Sequence, residues 1–322
     1  MEGGLETERA ELCARLFTDA SRDGVYSHGL NRFPRFIEMI KRDLIDIHAS
    51  PKLGGNFGTF ERWDGQLGPG NLNAHTSMGR AISLSRQHGI GCVALANTNH
   101  WMRGGSYGWQ AVEAGFIGIC WTSTMPNLPP WGASERRLGN NPLVIAVPRS
   151  NGHIVLDMAG SQFSYGTLES YRMRGEQLPV NGGFDLHGEL THDAGAIEAS
   201  GRPLPIGYWK GSGLALMLDA LAALLSAGNA THQIAADSHK EIGPSQVFIA
   251  FDLSTIDKNG IAALVTNEII EYLQTAKSSE DRRVRYSGKR TLEIRKQNLA
   301  EGVPVEAQIW EQAQAMLVSD KL

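Results

Sequence analysis

Outside the glycine-rich stretch Gly54–Pro69, whose short strand-like pieces suggest a change to a sheet domain, the apolar positions of the first ninety residues recur every three or four residues; beyond them they come in short unbroken runs. From Glu6 to Arg22, Ala10, Cys13, Phe17 and Ala20 share one helical face. Pro34 opens a second helix at its first turn, with Phe36, Ile37, Ile40 and Leu44 as its buried stripe. A third is expected from Asn71, its cap, to Gln87, with Ala74, Met78, Ala81, Ile82 and Ser85 on one face. The runs Gly89–Ala96, Phe116–Thr122, Leu143–Val147, Ile154–Met158 and Gln246–Leu253 are too short for buried helices and read as buried strands. Only Pro148 to Gly152 separates the third from the fourth, so an antiparallel hairpin is predicted there, since a parallel crossover needs a dozen residues or more. Further helical patterns cover Trp109–Gly115, Gly166–Arg174, a stretch opening at Pro205 and running to Ser226, Ala262–Ala276, Thr291–Glu301 and Val305–Val318. The result is an α/β chain with a mixed or antiparallel sheet.

Composition narrows the function. The 322 residues are 42% hydrophobic and 20% charged, ordinary for a globular protein, and the formal net charge is -4. No run of Lys and Arg exceeds two residues, which argues against nucleic acid as a partner. The longest apolar run, Leu214–Leu225, is interrupted by Asp219 and is too short to span a bilayer. The first ten residues are acidic and lack the apolar stretch of a signal peptide. Three cysteines, two of them in apolar runs, suit buried thiols in a reducing compartment, so a cytoplasmic protein is expected.

The strand Gly89–Ala96 leads into Asn97-Thr98-Asn99-His100-Trp101-Met102-Arg103-Gly104-Gly105. Two amides, an imidazole, an indole and a guanidinium thus stand at a strand end, where ligand crevices form, and Gly105 lets the main chain come close to a ligand. His100 bonding only to backbone is the plainer alternative. The loop between the first two helices holds Ser27, His28, Asn31 and Arg32, a proton-transfer group beside an anion-binding cation; His28-Gly29 acting only as a helix cap is the alternative. Asp157 closes a strand beside small residues and suits a ribose diol or the cap of the next helix. Lys210 precedes glycines that open a helix, where a pyrophosphate would be favoured; simple glycine flexibility before a buried helix is the alternative.

Several signatures are missing. No strand is followed by G-x-G-x-x-G, and no Walker A or G-x-S-x-G occurs. The ten histidines have no metal-ligand spacing, so no metal is expected. The residues alone allow an enzyme or a sugar-acid binding protein.

The blocks V-Y-S-H-G-L-N-R-F-P-R-F, N-H-W-M-R-G-G-S-Y-G-W-Q-A, G-I-C-W-T, F-S-Y-G and G-Y-W-K-G-S-G together resemble the malate/L-lactate dehydrogenase family, which lacks a Rossmann domain. The resemblance covers about Leu5 to Val318. Trp101, Trp109, Trp121, Trp131 and Trp209 lie in blocks typical of its branch that reduces diketo sugar acids. It implies NADH-dependent reduction of a small-molecule sugar acid by a cytoplasmic homodimer, on a largely antiparallel mixed sheet that binds the nicotinamide cofactor without a Rossmann fold. The expected organisation is a helical domain of residues 1–60 and 280–322 beside a sheet-based cofactor- and substrate-binding region of 61–279.

The family's proton donor falls on His28, with Ser27 as a relay; Arg32 would hold the substrate carboxylate, and His100 and Asn99 its hydroxyls. Cofactor contacts fall on His153, Ile154, Val155, Leu156, Asp157, Met158 and Ala159, on Trp209 and Lys210, and on Gly288, Lys289 and Arg290. Three departures are expected to matter. A helix that precedes Leu5 in the family is missing, and Asn140 stands where Thr is usual. Gly288-Lys289-Arg290 replaces a glycine followed by His and Glu, which would admit NADP beside NAD. The alternatives are a relative acting on malate, lactate or ureidoglycolate, or a catalytically silent sugar-acid binding protein.

Overall fold

A computed structural model describes residues 4–235, 241–277 and 284–319. The amphipathic helix α1 (Thr7–Arg22) is followed by two 3-10 turns, Tyr26–His28 and Leu30–Arg32, and by α2 (Phe33–Lys41), which has Pro34 in its first turn. The glycine-rich stretch then forms the strands β1 (Lys52–Asn56) and β2 (Phe60–Asp64). β1 therefore belongs to the sheet, although it precedes residue 61. Helix α3 (Gly70–His88) begins one residue before the expected cap, and Asn71 does not cap it. Asn71 is buried instead, with its amide nitrogen donating to Cys13 Sγ at 3.2 Å.

The next elements are β3 (Ile90–Ala96), α4 (Gly105–Glu113), β4 (Phe116–Thr122), β5 (Leu143–Val147) and β6 (Ile154–Met158). Helix α4 starts four residues earlier than the apolar pattern suggested, because glycines can occupy its first turn against the sheet. A small unit follows: α5 (Tyr165–Arg174), β7 (Gly183–Phe184), β8 (Leu190–Thr191), α6 (Ala194–Ser200) and β9 (Arg202–Pro203). Leu168, Leu178, Ala194 and Ile197 form its own core. The chain continues through α7 (Trp209–Ser226), β10 (Gln246–Asp252), α8 (Leu253–Ile256), α9 (Ile261–Gln274), α10 (Lys289–Glu301) and α11 (Ala307–Ser319). The charged stretch Ser279–Arg290, which reads in the sequence as an exposed connection, falls partly outside the described residues.

Seven strands form one sheet in the order β1-β2-β3-β10-β4-β5-β6. Only β2 and β3 pair in parallel; every other pairing is antiparallel, including the β5–β6 hairpin, where Ile145 faces Leu156. The central strands are covered on both faces, which explains why apolar runs without alternation gave antiparallel strands. On one face Val93, Leu95, Cys120, Val144, Ala146, Phe248 and Ala250 pack under α3 and α4. On the other, Ala94, Trp121 and Val247 pack under Leu218 and Ala222 of α7. Cys13, Phe17, Phe36 and Met39 join α1 and α2 in a separate helical core over Leu72. Helix α10 returns to this layer, with Asn298 Nδ2 donating to the Arg22 carbonyl at 2.8 Å. No helix among the described residues is long and apolar enough to cross a membrane.

Candidate active site

A cleft of about 1000 Å³ opens where the helical layer, the C-terminal ends of β3 and β4, the β6 edge and the small α5–α6 unit meet. Its chemical end is built by the turns that follow α1. That helix stops at Asp23, and Gly24 (φ 81°) sends the chain into the two 3-10 turns. Ser27, His28 and Arg32 then face the cleft. Ser27 Oγ lies 2.9 Å from His28 Nδ1. The loop after β3 brings His100 over, so that the two imidazole rings stack 5.9 Å apart at an angle of 20°. Met102 sits in the left-handed region (φ 63°), an uncommon conformation for so bulky a side chain. It places its N–H on His100 Nδ1 at 3.0 Å. His100 Nδ1 is therefore an acceptor, and its Nε2 carries the hydrogen.

Burial and the positive charges of Arg32 and Arg103 hold His28 down to about 4. Burial, Arg32 and His28 itself hold His100 well below the ordinary imidazole range. Arg32 is lowered to about 10 by burial and by Arg35, which leaves it charged at neutral pH. In the absence of substrate this end of the cleft thus pairs two neutral imidazoles with a cation.

Arg103, from the opening loop motif, is fixed rather than free. It is buried, and its Nη1 donates to Asp23 Oδ2 at 2.6 Å. Arg295 of α10 binds both oxygens of the same carboxylate at 2.7 Å, and its guanidinium lies 4.4 Å from the ring centre of Trp109. Burial opposes ionisation of Asp23, but Arg295 and Arg103 outweigh it and hold the carboxyl below its usual range. Asn99 is a second structural residue. Its amide nitrogen donates to the carbonyls of Leu67 at 2.7 Å, Gly68 at 3.2 Å and Leu44 at 3.3 Å, and it does not line the cleft. A buried amide with three carbonyls in reach pins the loop; it is not available to a substrate hydroxyl.

The opposite end is the edge of the sheet. Val155, Asp157, Met158 and Ala159 line the cleft, whereas His153, Ile154 and Leu156 do not. His153 closes the hairpin, with Nδ1 accepting from Arg149 N–H at 3.1 Å and its ring against Trp109. Val155 N–H donates outward to the Ser287 carbonyl at 3.0 Å. That approach needs Gly288, whose φ of 94° and whose position leave a Cβ only 3.0 Å from Val155 N. Two residues on, Asp157 turns its own N–H and C=O to the same free edge.

The Asp157 carboxylate reaches the cleft and accepts the Gly105 N–H at 3.0 Å. Gly105 therefore lets the main chain approach Asp157, where the sequence had suggested a ligand: a Cβ there would stand 2.5 Å from Oδ2. Burial raises the Asp157 carboxyl, against the pull of Arg103 and the Gly105 N–H. A carboxylate with free main-chain groups beside it fits the ribose of a dinucleotide.

The remaining expected cofactor residues lie elsewhere. Trp209, 66% exposed, and Lys210 open α7 at the surface. At the start of α10 only Thr291 reaches the cleft; Lys289 lies 6.0 Å from the Tyr286 ring centre, and Arg290 is exposed. Sequence reading passed over Arg35, one helical turn beyond Arg32, and Glu241, in the loop before β10. The i, i+3 spacing could have revealed Arg35. No local pattern marks Glu241. It also passed over Thr124, Asn127 and Tyr165, which wall the cleft around the anomalous Asn140. Asn140 Oδ1 accepts from Thr124 Oγ1 at 3.2 Å and from Asn127 Nδ2 at 3.1 Å. Among the described residues no group of histidine, cysteine or carboxylate side chains could hold a metal.

The profile of the malate/L-lactate dehydrogenase family matches residues 1–314. The 2,3-diketo-L-gulonate reductase of Escherichia coli strain SMS-3-5 is 46% identical over 314 residues, which is 97% of this chain and 94% of that protein. Sulfolactate dehydrogenase from Methanocaldococcus jannaschii superposes with a TM-score of 0.92 at 26% identity, over all of this chain and 93% of the other. Malate dehydrogenase from Pyrococcus horikoshii OT3 superposes with a TM-score of 0.88 at 26% identity, over all of this chain and 91% of the other.

Proposed function

The chain belongs to the malate/L-lactate dehydrogenase family and is an oxidoreductase acting on a hydroxy or oxo acid, and from that premise we propose that it reduces 2,3-diketo-L-gulonate to 3-keto-L-gulonate with NADH, His28 donating the proton. The observation that carries the reading is the meeting of His28, His100 and Arg32 at one end of a cleft whose other end is the Asp157 edge.

The bound nicotinamide supplies a hydride. Every other requirement falls on the chain itself. Arg32 holds the substrate carboxylate, which a guanidinium can grip with two parallel bonds. The adjacent carbonyl then lies by the imidazoles. His100, with its hydrogen on Nε2, orients that oxygen by donation. As negative charge grows there, His28 delivers a proton from Nε2, steadied through Nδ1 by Ser27 Oγ. The low pKa of His28 in the free protein is part of the cycle. An arriving carboxylate offsets the Arg32 charge that depresses it, so His28 takes up a proton as the substrate binds.

Val155, Asp157, Met158 and Ala159 would hold the cofactor, with Asp157 on a ribose diol. That carboxylate disfavours a 2'-phosphate, and Lys289 and Arg290 stand outside the cleft, so NADH is the preferred form. We infer a homodimer as well. Helix α7 is the most apolar of the chain, yet Leu216, Met217 and Leu224 are exposed on it, as are Leu264, Ile269 and Tyr272 on α9.

The catalytic reading is tested at His28. His28→Gln should bind NADH as the natural protein does and lose two to four orders of magnitude in turnover, roughly the usual worth of acid–base catalysis. A loss below tenfold removes His28 from that role.

A further inference from the structure

Among the carboxylates of the cleft to which the proposed chemistry gives no task, Glu241 is the most buried. Glu241 precedes β10, is only 7% exposed, and lines the cleft together with Arg32. Its Oε1 has a single long contact, from Met125 N–H at 3.5 Å. Its Oε2 has no hydrogen-bond partner among the described residues, and no ion pair joins Glu241 to an arginine there. No Glu241 side-chain atom is both sealed from solvent and unpartnered, so this open acceptor is reached from the cleft that Glu241 lines. Burial pushes its carboxyl up while the Arg32 charge pulls it back. The two groups are thus close enough to sense one another without being neutralised by contact.

We propose that Glu241 sets the substrate class of this site, accepting a hydroxyl from the tail of an acid held by Arg32 and excluding a tail that carries a second carboxylate. The assignment rests on the reading of the cleft as a 2-oxo acid site. An ionised carboxylate has only acceptors to offer, and a hydroxyl satisfies one of them. A second carboxylate satisfies none. It must either face the charge of Glu241 in a sheltered cleft or force Glu241 to take up a proton, and both weaken binding. Sites built around a buried polar partner discriminate far more strongly than apolar pockets do.

The test compares two acids with the same 2-oxo acid head and four carbons, oxaloacetate and 4-hydroxy-2-oxobutanoate, which differ only at the terminal carbon. Binding is read from the tryptophan fluorescence of the protein loaded with NAD+, which has no hydride to give, since Trp101 and Trp109 line the cleft. It therefore does not depend on turnover. The hydroxy acid should bind the natural protein at least about thirtyfold more tightly, in the range that separates charged hydrogen bonds from like-charge contacts. Glu241→Gln, which keeps the shape and removes the charge, should bring the ratio below about threefold, chiefly by improving oxaloacetate. Equal binding of the two acids to the natural protein, binding of neither, or a ratio unmoved in Glu241→Gln overturns the assignment. Oxidation of NADH by the bound acids is recorded separately. Its absence with the binding ratio intact counts against the reductase reading and not against Glu241.

Discussion

Proton uptake on substrate binding follows from the charges around His28. In the free protein burial, Arg32 and Arg103 hold its imidazole at about 4. At pH 6.0 a group with that pKa is protonated in about one molecule in a hundred. A bound carboxylate on Arg32 removes the nearer charge. Burial, the largest cause of the low value, persists when substrate binds, so the His28 pKa rises without regaining its unperturbed value of about 6.5. The roughly three-quarters protonation which that value would give at the same pH is an upper bound. Binding of oxamate, an unreactive analogue of a 2-oxo acid, to the NADH complex should therefore draw up to about 0.7 protons per site from the buffer at pH 6.0. His100 should add nothing, because its Nδ1 already accepts the Met102 N–H. The uptake is measured by titration calorimetry in two buffers of different ionisation enthalpy. His28→Gln should abolish it. No measurable uptake, or the same uptake in His28→Gln, refutes the coupling between Arg32 and His28. The kinetics carry the same signature: kcat/KM, which reports the free protein, should fall with rising pH across the neutral range, while kcat should begin to fall only at a higher pH than kcat/KM does.

The other expectations are simpler. Arg32→Lys should raise KM for the acid at least tenfold with a smaller effect on KM for NADH, because an ammonium cannot make the paired contact; unchanged kinetics would place the carboxylate elsewhere. Gly105→Ala should weaken NADH binding more than acid binding, since its Cβ would stand 2.5 Å from Asp157 Oδ2 and displace that carboxylate; equal loss for both ligands would argue against Asp157 as a cofactor group. Asp23→Asn strips the counter-charge from buried Arg103 and from Arg295, and should cost about 3–5 kcal/mol in denaturant unfolding, the usual penalty for breaking a buried pair. A cost under 1 kcal/mol would mean that the guanidiniums find other partners. The folded pKa of Asp23 is depressed, so its contribution is present above the unfolded carboxylate range and is lost as pH falls through the folded value. His28 and His100 are depressed too, so lowering pH from about 6.5 toward 4 should also destabilise the fold, and less so in a variant lacking both rings.

The strands were legible because each is a closed apolar run. Phe116–Thr122, Leu143–Val147 and Ile154–Met158 form with the expected ends, and the six residues between the last two forced the antiparallel hairpin. Helix starts were harder wherever glycine or proline replaced a side-chain cap: α3 begins after Pro69 and α4 inside the Gly104–Gly105 pair. The chemical cluster was visible for a similar reason. His28 and Arg32 lie in two consecutive 3-10 turns, and His100 stands in the loop that follows a strand, where cleft residues are expected. What could not be seen were partnerships across the fold. Asn99 looked like a ligand group until three carbonyls from other loops claimed it, and Arg103 looked free until Asp23, eighty positions earlier, was found to neutralise it. Glu241 and the Asn127–Asn140 wall join the cleft only through the stacking of distant segments.

The central claim is the reduction of a diketo sugar acid by NADH. It is tested most directly by mixing the purified protein with NADH and 2,3-diketo-L-gulonate, with oxaloacetate, pyruvate and the oxidation product of ureidoglycolate in parallel, and following NADH absorbance while identifying the product. The account expects steady NADH oxidation with the diketo acid, one 3-keto-L-gulonate formed per NADH consumed, and an efficiency at least about tenfold above any of the others, a difference of about 1.4 kcal/mol in transition-state binding. Faster oxidation with one of the smaller acids, or binding of the diketo acid with no NADH consumed, would contradict it.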